Sequence, residues 1–161
     1  FMVKATSLGS SVGVSKVKSE SDFKAALDDT FKYDDTALLE EYIQGREIEC
    51  AILGNSPAQA SLPGEIVISS RYEFYTFDAK YVDGDAVQIE VPARLDNEVA
   101  EEIRQLSLKA YHALHCEDFA RVDLFLANSG GVYVNEINTI PGFTNSSMYP
   151  MMWKERGISF T

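Results

Sequence analysis

Cysteine, histidine and tryptophan are scarce in this 161-residue chain, which holds two, two and one of them. Cys50 and Cys116 lie far apart and form neither a CxxC pair nor a disulfide framework, which points to a reducing compartment, the cytoplasm, and to two small buried hydrophobes. His112 and His115 share a helical face without a third ligand, so they do not make a metal site. No apolar run approaches the roughly 18 residues of a membrane span, and no membrane association is expected. Positive charge is short as well: 14 Lys and Arg face 25 Asp and Glu, for a net charge of −11. That balance excludes a broad nucleic-acid surface, which must neutralise phosphates with clustered basic side chains. The content that remains is ordinary for a globular chain, with 45% hydrophobic and 11% aromatic residues. It suffices for one folded domain and excludes disorder.

Both ends look cut. Phe1-Met2-Val3 reads as the inside of an apolar strand without the charged region of a secretory signal. Gly157 to Thr161 stops where Ser159 or Thr161 could start another helix, so a larger protein is expected. The first 19 residues carry Lys4, Lys16 and Lys18 and no acid, inside an acidic chain, which suits an anionic ligand. They read as strand 1–5, a Gly/Ser loop over Leu8 to Gly13, and strand 14–18. Ser19 or Ser21 then caps a helix with Phe23, Ala26, Leu27 and Phe31 on its apolar face.

Strands are expected at 37–43 and 47–53, joined as a hairpin through Gln44-Gly45-Arg46, and another at 65–68. Residues 70–86 form a long polar segment with five aromatics and Lys80, the pattern of an ordered flap. After strand 87–91, Asp96 caps a helix with Val99, Ile103, Leu106, Ala110 and Leu114 along one face. A hairpin 119–126/132–138 follows, and Met148, Met151, Met152 and Trp153 are expected to pack a last helix on the core. Hairpins with intervening helices, and no repeating βαβ rhythm, indicate an α+β fold with a mostly antiparallel sheet.

The strongest chemical signal lies in that last hairpin. Strand alternation puts Arg121 and Asp123 on one face and Ala120, Val122, Leu124 and Leu126 on the other. With Ser129-Gly130 as a two-residue turn, Asp123 faces Glu136 and Arg121 faces Asn138. Opposed carboxylates destabilise a sheet unless a cation lies between them. Oxygen donors from Asp, Glu and Asn suit Mg²⁺, which takes one or two carboxylates plus phosphate and water. Alone, the hairpin admits equally a solvated polar face with its register off by one. The Gly9-Ser10-Ser11-Val12-Gly13 loop supplies a partner, since its backbone N–H groups can approach phosphate closely. It lacks the Gly-Lys-Ser/Thr ending of a Walker loop, and a strand follows where that loop needs a helix.

Together these stretches resemble the ATP-grasp superfamily, and within it the D-alanine:D-alanine ligases. The resemblance is carried by Met2-Val3-Lys4, residues 8–17, Glu40 to Ile43 with Gly45-Arg46-Glu47, Phe77 to Tyr81, Ala120 to Asp123, and Asn135 to Thr144. It implies an ATP-grasp fold, with residues 1–53 completing a central ATP-binding subdomain and 54–161 forming the C-terminal catalytic one. It implies that Lys4, Lys80, Ser10 and Ser11 meet the ATP phosphates, that Glu40, Glu41, Tyr42 and Ile43 hold the adenine, and that Glu47 holds the ribose. Asp123, Glu136 and Asn138 would hold two Mg²⁺ ions, or Mn²⁺. Arg121 and the Gly142 N–H would stabilise an oxyanion, Ser147 would anchor the second D-alanine, and Tyr81 bonded to Ser10 would favour an amine acceptor. The implied activity is ATP-dependent joining of two D-alanines through an acylphosphate for peptidoglycan precursor synthesis, in a homodimer. The alternatives are a D-alanine:D-lactate ligase and a nucleotide-binding module without turnover.

Overall fold

The computed structural model describes residues 1–69, 71 and 86–159. The expected flap lies outside the described residues apart from Arg71 and Ala86, and Lys80 and Tyr81 lie outside them too. By compactness the chain divides into two units, Phe1–Ile43 with Ile68–Gln88, and Gln44–Val67 with Ile89–Thr161.

In the first unit, β1 (Met2–Ala5) pairs antiparallel with β2 (Val14–Lys16) on one side and β3 (Ala37–Glu40) on the other. The Gly/Ser loop is thus the connection of the β1/β2 hairpin. Helix α1 (Glu20–Thr30) starts at Ser19, where a capping box joins the Ser19 side chain to the Asp22 N–H and the Asp22 carboxylate to the Ser19 N–H. Its face packs Ala26, with Phe23 and Leu27, onto Val3 and Val17. Phe31 does not join them: it is the C-cap and 53% exposed, while Thr30 is buried and donates to Gly13 O.

The second sheet runs β7 (Val87–Glu90), β6 (Gly64–Ile68), β4 (Gly45–Leu53), β8 (Phe119–Ala127), β9 (Val132–Asn138), with β5 (Gln59–Ala60) also on β4. The pairings β1/β2, β1/β3, β4/β5, β4/β6, β4/β8 and β8/β9 are all antiparallel, in line with the α+β expectation. The expected hairpin of 37–43 with 47–53 does not form. β3 belongs to the first sheet and β4 pairs with β8 along its full length, Gly45 opposite Ala127 through Leu53 opposite Phe119. That pairing keeps residues 45–53 in the second compact unit, which begins at Gln44.

Alternation along β4 and β8 sends Ile48, Cys50, Ile52, Ala120, Val122 and Leu124 to one face. There they meet Ile103 and Tyr111 of α2 (Asn97–Ala113). Among the described residues nine fully buried side chains make this core cluster, against the cluster of three, Val3, Val17 and Ala26, in the first unit. At about 2 kcal/mol for each large aliphatic one, it dominates the stability of the second unit. Asp96 is the N-cap of α2 but makes no side-chain cap bond, and Leu114 at its far end is 65% exposed; Tyr111 fills the last turn of the apolar face. Helix α3 (Met148–Glu155) buries Met148, Met152 and Trp153 as expected but leaves Met151 half-buried, and Tyr149 donates from its hydroxyl to Ile52 O at 2.8 Å.

Candidate functional site

The opposite face of the β4/β8/β9 ladder carries the charges. Asp123 pairs with Glu49 of β4 on one side and Glu136 of β9 on the other, while Arg121 pairs with Ala51 and Asn138. Three carboxylates therefore cross three adjacent strands on one face. The register at the site is the expected one, reached by an unexpected route. The turn is the three-residue Asn128-Ser129-Gly130, closed by Ala127 N–H to Gly131 O and Gly130 N–H to Ala127 O. Gly130 takes φ +91°, the left-handed position that a three-residue loop reserves for glycine. Pairing from that turn sets Leu124 opposite Val134, and a bulge between Leu124 and Asp123 then shifts the ladder by one residue. The two offsets cancel at Asp123/Glu136.

Arg121 binds the Asp123 carboxylate with a two-pronged fork, Nε to Oδ1 at 2.6 Å and Nη2 to Oδ2 at 2.8 Å. Asn138 Nδ2 donates to Asp123 Oδ2 at 2.9 Å and reaches Glu136 Oε1 at 3.4 Å. Arg121 Nε also lies 3.0 Å from Oε2 of Glu49, whose side chain is only 6% exposed. Burial alone would lower the Arg121 pKa, but the bond to Asp123 and the fields of Asp123, Glu49 and Glu136 outweigh it and hold the pKa above its ordinary value. The guanidinium stays charged at any accessible pH.

Metal chemistry fits the donor set. Among the described residues no three His, Cys, Asp or Glu side chains gather tightly enough to hold an ion alone. Asp123, Glu136 and Asn138 instead give two carboxylates and an amide, the short protein share that Mg²⁺ accepts when phosphate and water complete its shell. The N–H donors of Arg121 and Asn138 now sit on oxygens that a cation would take.

Past β9 the chain turns toward α3, and Phe143 fixes this turn by packing on Tyr149 and Phe119 at centroid distances of 5.5 and 6.4 Å. Gly142 lies against Ser147, whose Oγ would be 3.1 Å from any Cβ at that position. Ser147 is the N-cap residue of α3, yet its hydroxyl accepts from Thr144 N–H at 3.0 Å instead of capping the helix. Two expected substrate contacts, Gly142 and Ser147, are thus neighbours.

The first unit gathers a different set. Lys4 is ion-paired with Glu40, and Lys16 Nζ stands 3.6 Å over the Tyr42 ring. Ser10 and Ser11 adopt φ 55° and 60° in the loop. The Asp34 carboxylate ties down the loop's entry, accepting from Thr6 Oγ1 at 2.8 Å, Ser7 N–H at 2.7 Å and Thr36 N–H at 3.1 Å. These bonds hold the Asp34 pKa far below the usual carboxylate range. Glu40 ends β3, Glu41, Tyr42 and Ile43 follow it without regular structure, and Glu47 lies in β4 opposite Phe125 and Ile66. Sequence reasoning missed Glu49 and Asp34. The alternation of acids with Ile48 and Cys50 marks Glu49 as facing away from the core, but nothing local in the sequence says that this second face is also covered.

The family model described as D-ala D-ala ligase C-terminus matches residues 1–161. The chain is 51% identical over 160 residues to a D-alanine–D-alanine ligase A of Chromobacterium violaceum, covering 99% of this chain and 43% of that protein. It is 49% identical over 161 residues to D-alanine–D-alanine ligase A of Escherichia coli, covering 44% of it. Among solved structures, the D-alanine-D-alanine ligase of Coxiella burnetii superposes with a TM-score of 0.83 at 44% identity, over 98% of this chain and 40% of that one. VanG D-Ala:D-Ser ligase of Enterococcus faecalis gives 0.88 at 39% identity, over 99% and 46%. The chain spans less than half the length of these relatives.

Proposed function

Because the chain belongs to the family of D-alanine–D-alanine ligase C-terminal regions, we propose that it supplies the ATP-binding and catalytic portion of a ligase that makes D-alanyl-D-alanine for peptidoglycan. The observation that carries the proposal is the Asp123/Glu136/Asn138 ladder with Arg121 locked beside it. A face of opposed carboxylates is unfavourable unless a ligand compensates it.

In the proposed reaction a carboxylate oxygen of the first D-alanine takes the γ-phosphoryl group from ATP, giving D-alanyl phosphate and ADP. The neutral amine of a second D-alanine then attacks the acyl carbon, and collapse of the tetrahedral oxyanion forms the peptide bond and expels phosphate. Phosphoryl transfer asks chiefly for positioning and charge neutralisation, so no nucleophilic side chain is required. Lys4, Lys80, Ser10 and Ser11 would hold the phosphates, Glu40 to Ile43 the adenine, and Glu47 the ribose. Two Mg²⁺ or Mn²⁺ ions on Asp123, Glu136 and Asn138 would neutralise phosphate charge. Arg121 and the Gly142 N–H would carry the oxyanion, a place where losing one donor costs ~10²–10³ in rate. Ser147 would hold the carboxylate of the second D-alanine, and Tyr81 beside Ser10 would keep cationic charge away from the attacking amine.

Two cysteines without a disulfide support a cytoplasmic setting, and among the described residues no helix is long and apolar enough to cross a membrane. Dimerisation of the intact protein belongs to the same proposal. The test is phosphate release and product analysis with ATP, Mg²⁺ and D-alanine, with D-serine and D-lactate as competing acceptors. D-Alanyl-D-alanine as the main product near neutral pH is expected; no D-alanine-dependent phosphate release would overturn the proposal. D-Serine enters as a competitor because one structural relative carries D-Ala:D-Ser in its name.

A further inference from the structure

We propose that Glu49 is a positioning residue, the resident counter-ion that keeps Arg121 in place when Asp123 turns to a cation. The inference rests on the functional proposal above for the roles of Arg121 and Asp123, but its geometry stands apart from it. Arg121 is held by two anions of different kinds. Asp123 grips it with both oxygens at 2.6 and 2.8 Å and is itself an expected cation ligand. Glu49 lies 3.0 Å from Nε, on the neighbouring strand in direct register with Asp123, and its side chain is almost fully buried.

These facts set up a conflict that Asp123 cannot resolve alone. Its oxygens are engaged by Arg121 and Asn138, so a cation arriving there must draw the carboxylate away from the guanidinium. An arginine that is 19% exposed and loses its sole counter-ion would be a poorly compensated charge, free to swing out of the site. Glu49 removes that outcome. Fixing a functional group through a buried neighbour in this way is how outer partners tune affinity by ten- to a hundred-fold elsewhere.

The test uses the intact protein and two independent readouts. The first needs no metal: with Asp123→Asn standing in for a carboxylate drawn away from Arg121, hydrogen exchange of the Arg121 Nε–H, followed by NMR, should be slow and become at least tenfold faster when Glu49→Gln is added. In the unaltered protein it should stay slow when Mg²⁺ saturates the site, because Glu49 keeps its hold. The second is Mn²⁺ affinity by electron paramagnetic resonance. With Glu49→Gln, Asp123 becomes the one carboxylate among the described residues left in contact with Arg121, so Mn²⁺ should bind about fivefold more weakly, and adding Arg121→Met should restore the affinity. Glu49→Asp keeps the charge and should stay nearer the unaltered values on both readouts. Nε–H exchange that Glu49→Gln leaves within twofold in the Asp123→Asn background, or Mn²⁺ affinity within twofold of the unaltered protein in Glu49→Gln, would overturn the inference, as would acceleration of Nε–H exchange by Mg²⁺ in the unaltered protein. Absence of Mn²⁺ binding in the unaltered protein would instead overturn the functional proposal, while the metal-free exchange would still decide the role of Glu49.

Discussion

Under the proposed function the β8/β9 ladder and the Gly/Ser loop would both present groups to an anionic ligand, and they are built on opposite principles. The ladder holds side chains: Arg121, Asp123 and Glu136 are placed by strand register and backed by a nine-residue core, and Arg121 is locked to Asp123 and Glu49 at 2.6 to 3.0 Å. The loop offers backbone: Ser10 and Ser11 both sit at left-handed φ, a conformation that costs a non-glycine residue about 1 kcal/mol, over a core of three buried side chains. A charged constellation whose members repel needs a rigid scaffold. A phosphate cradle gains from a scaffold that can yield, because the ligand itself repays the strain. The difference predicts that changes in the ladder act on turnover and folding, and changes at the loop act on nucleotide affinity.

The largest effect is expected at Glu136. Glu136→Gln should lower ligase turnover about a thousandfold or more, the scale of losing a principal charge-stabilising contact. It should leave the melting temperature unchanged or slightly raised, since relief of a direct cross-strand repulsion is worth roughly 0.2–1 kcal/mol. Phosphate release and a thermal melt check both halves; unchanged dependence on Mg²⁺ would break the ladder's side of the comparison.

Next comes Gly45. Read locally, Gln44-Gly45-Arg46 looks like a hairpin turn, and that is how the sequence misleads. A Cβ on Gly45 would come 2.1 Å from Leu126 O and 2.7 Å from the Ala127 Cα, so the glycine is demanded by the close approach of β8. Backbone atoms cannot step aside as a side-chain tip can, and Gly45→Ala should destabilise the fold by about 3 kcal/mol, measured by urea unfolding. The same contrast explains what was legible elsewhere. Period-two alternation located the buried and charged faces of β8 because it is a local signal, and the Ser19/Asp22 cap was local too. The partner of β4 was not legible, because it lies some seventy positions downstream and glycine marks turns and close contacts alike. The Asp123/Glu136 register came out as expected only because the three-residue turn and the bulge offset one another. Glu49 stayed hidden for the same long-range reason.

Cys50 offers a smaller, pH-resolved test of the core behind the ladder. Burial pushes its thiol from an ordinary 9.0 up to about 11. A raised pKa in the folded state means that the associated stability is fully present below the unfolded value. It declines as pH rises from about 9 to 11, because the unfolded chain ionises first. The decline should amount to about 2 kcal/mol, at ~1.4 kcal/mol for each pKa unit. Unfolding free energies at pH 8 and pH 11 should differ by about that much more for the unaltered chain than for Cys50→Ala. Equal slopes would mean that the thiol is less sequestered than the core packing implies.

The smallest effect belongs to the loop. Asp34 is half-buried at the surface, and its bonds to Thr6, Ser7 and Thr36 act locally: they fix where the chain leaves β1 for the Gly/Ser loop, the proposed phosphate cradle. Asp34→Ala should therefore leave the melting temperature within a degree or two and turnover within twofold. The apparent KM for ATP should rise about three- to fivefold as the loop loses its fixed entry. Asp34→Asn keeps one acceptor oxygen and should fall between. The pH dependence separates this from a titrating contact. A carboxyl whose folded pKa is depressed contributes above its unfolded value, near 4, and loses that contribution only as pH falls through the folded one. The ratio of KM between Asp34→Ala and the unaltered protein should accordingly stay constant from pH 6 to pH 9. A ratio that changes across that range, or a fall in turnover that matches the change in KM, would show the loop to be as rigidly coupled to the chemistry as the ladder, and the contrast between the two regions would collapse.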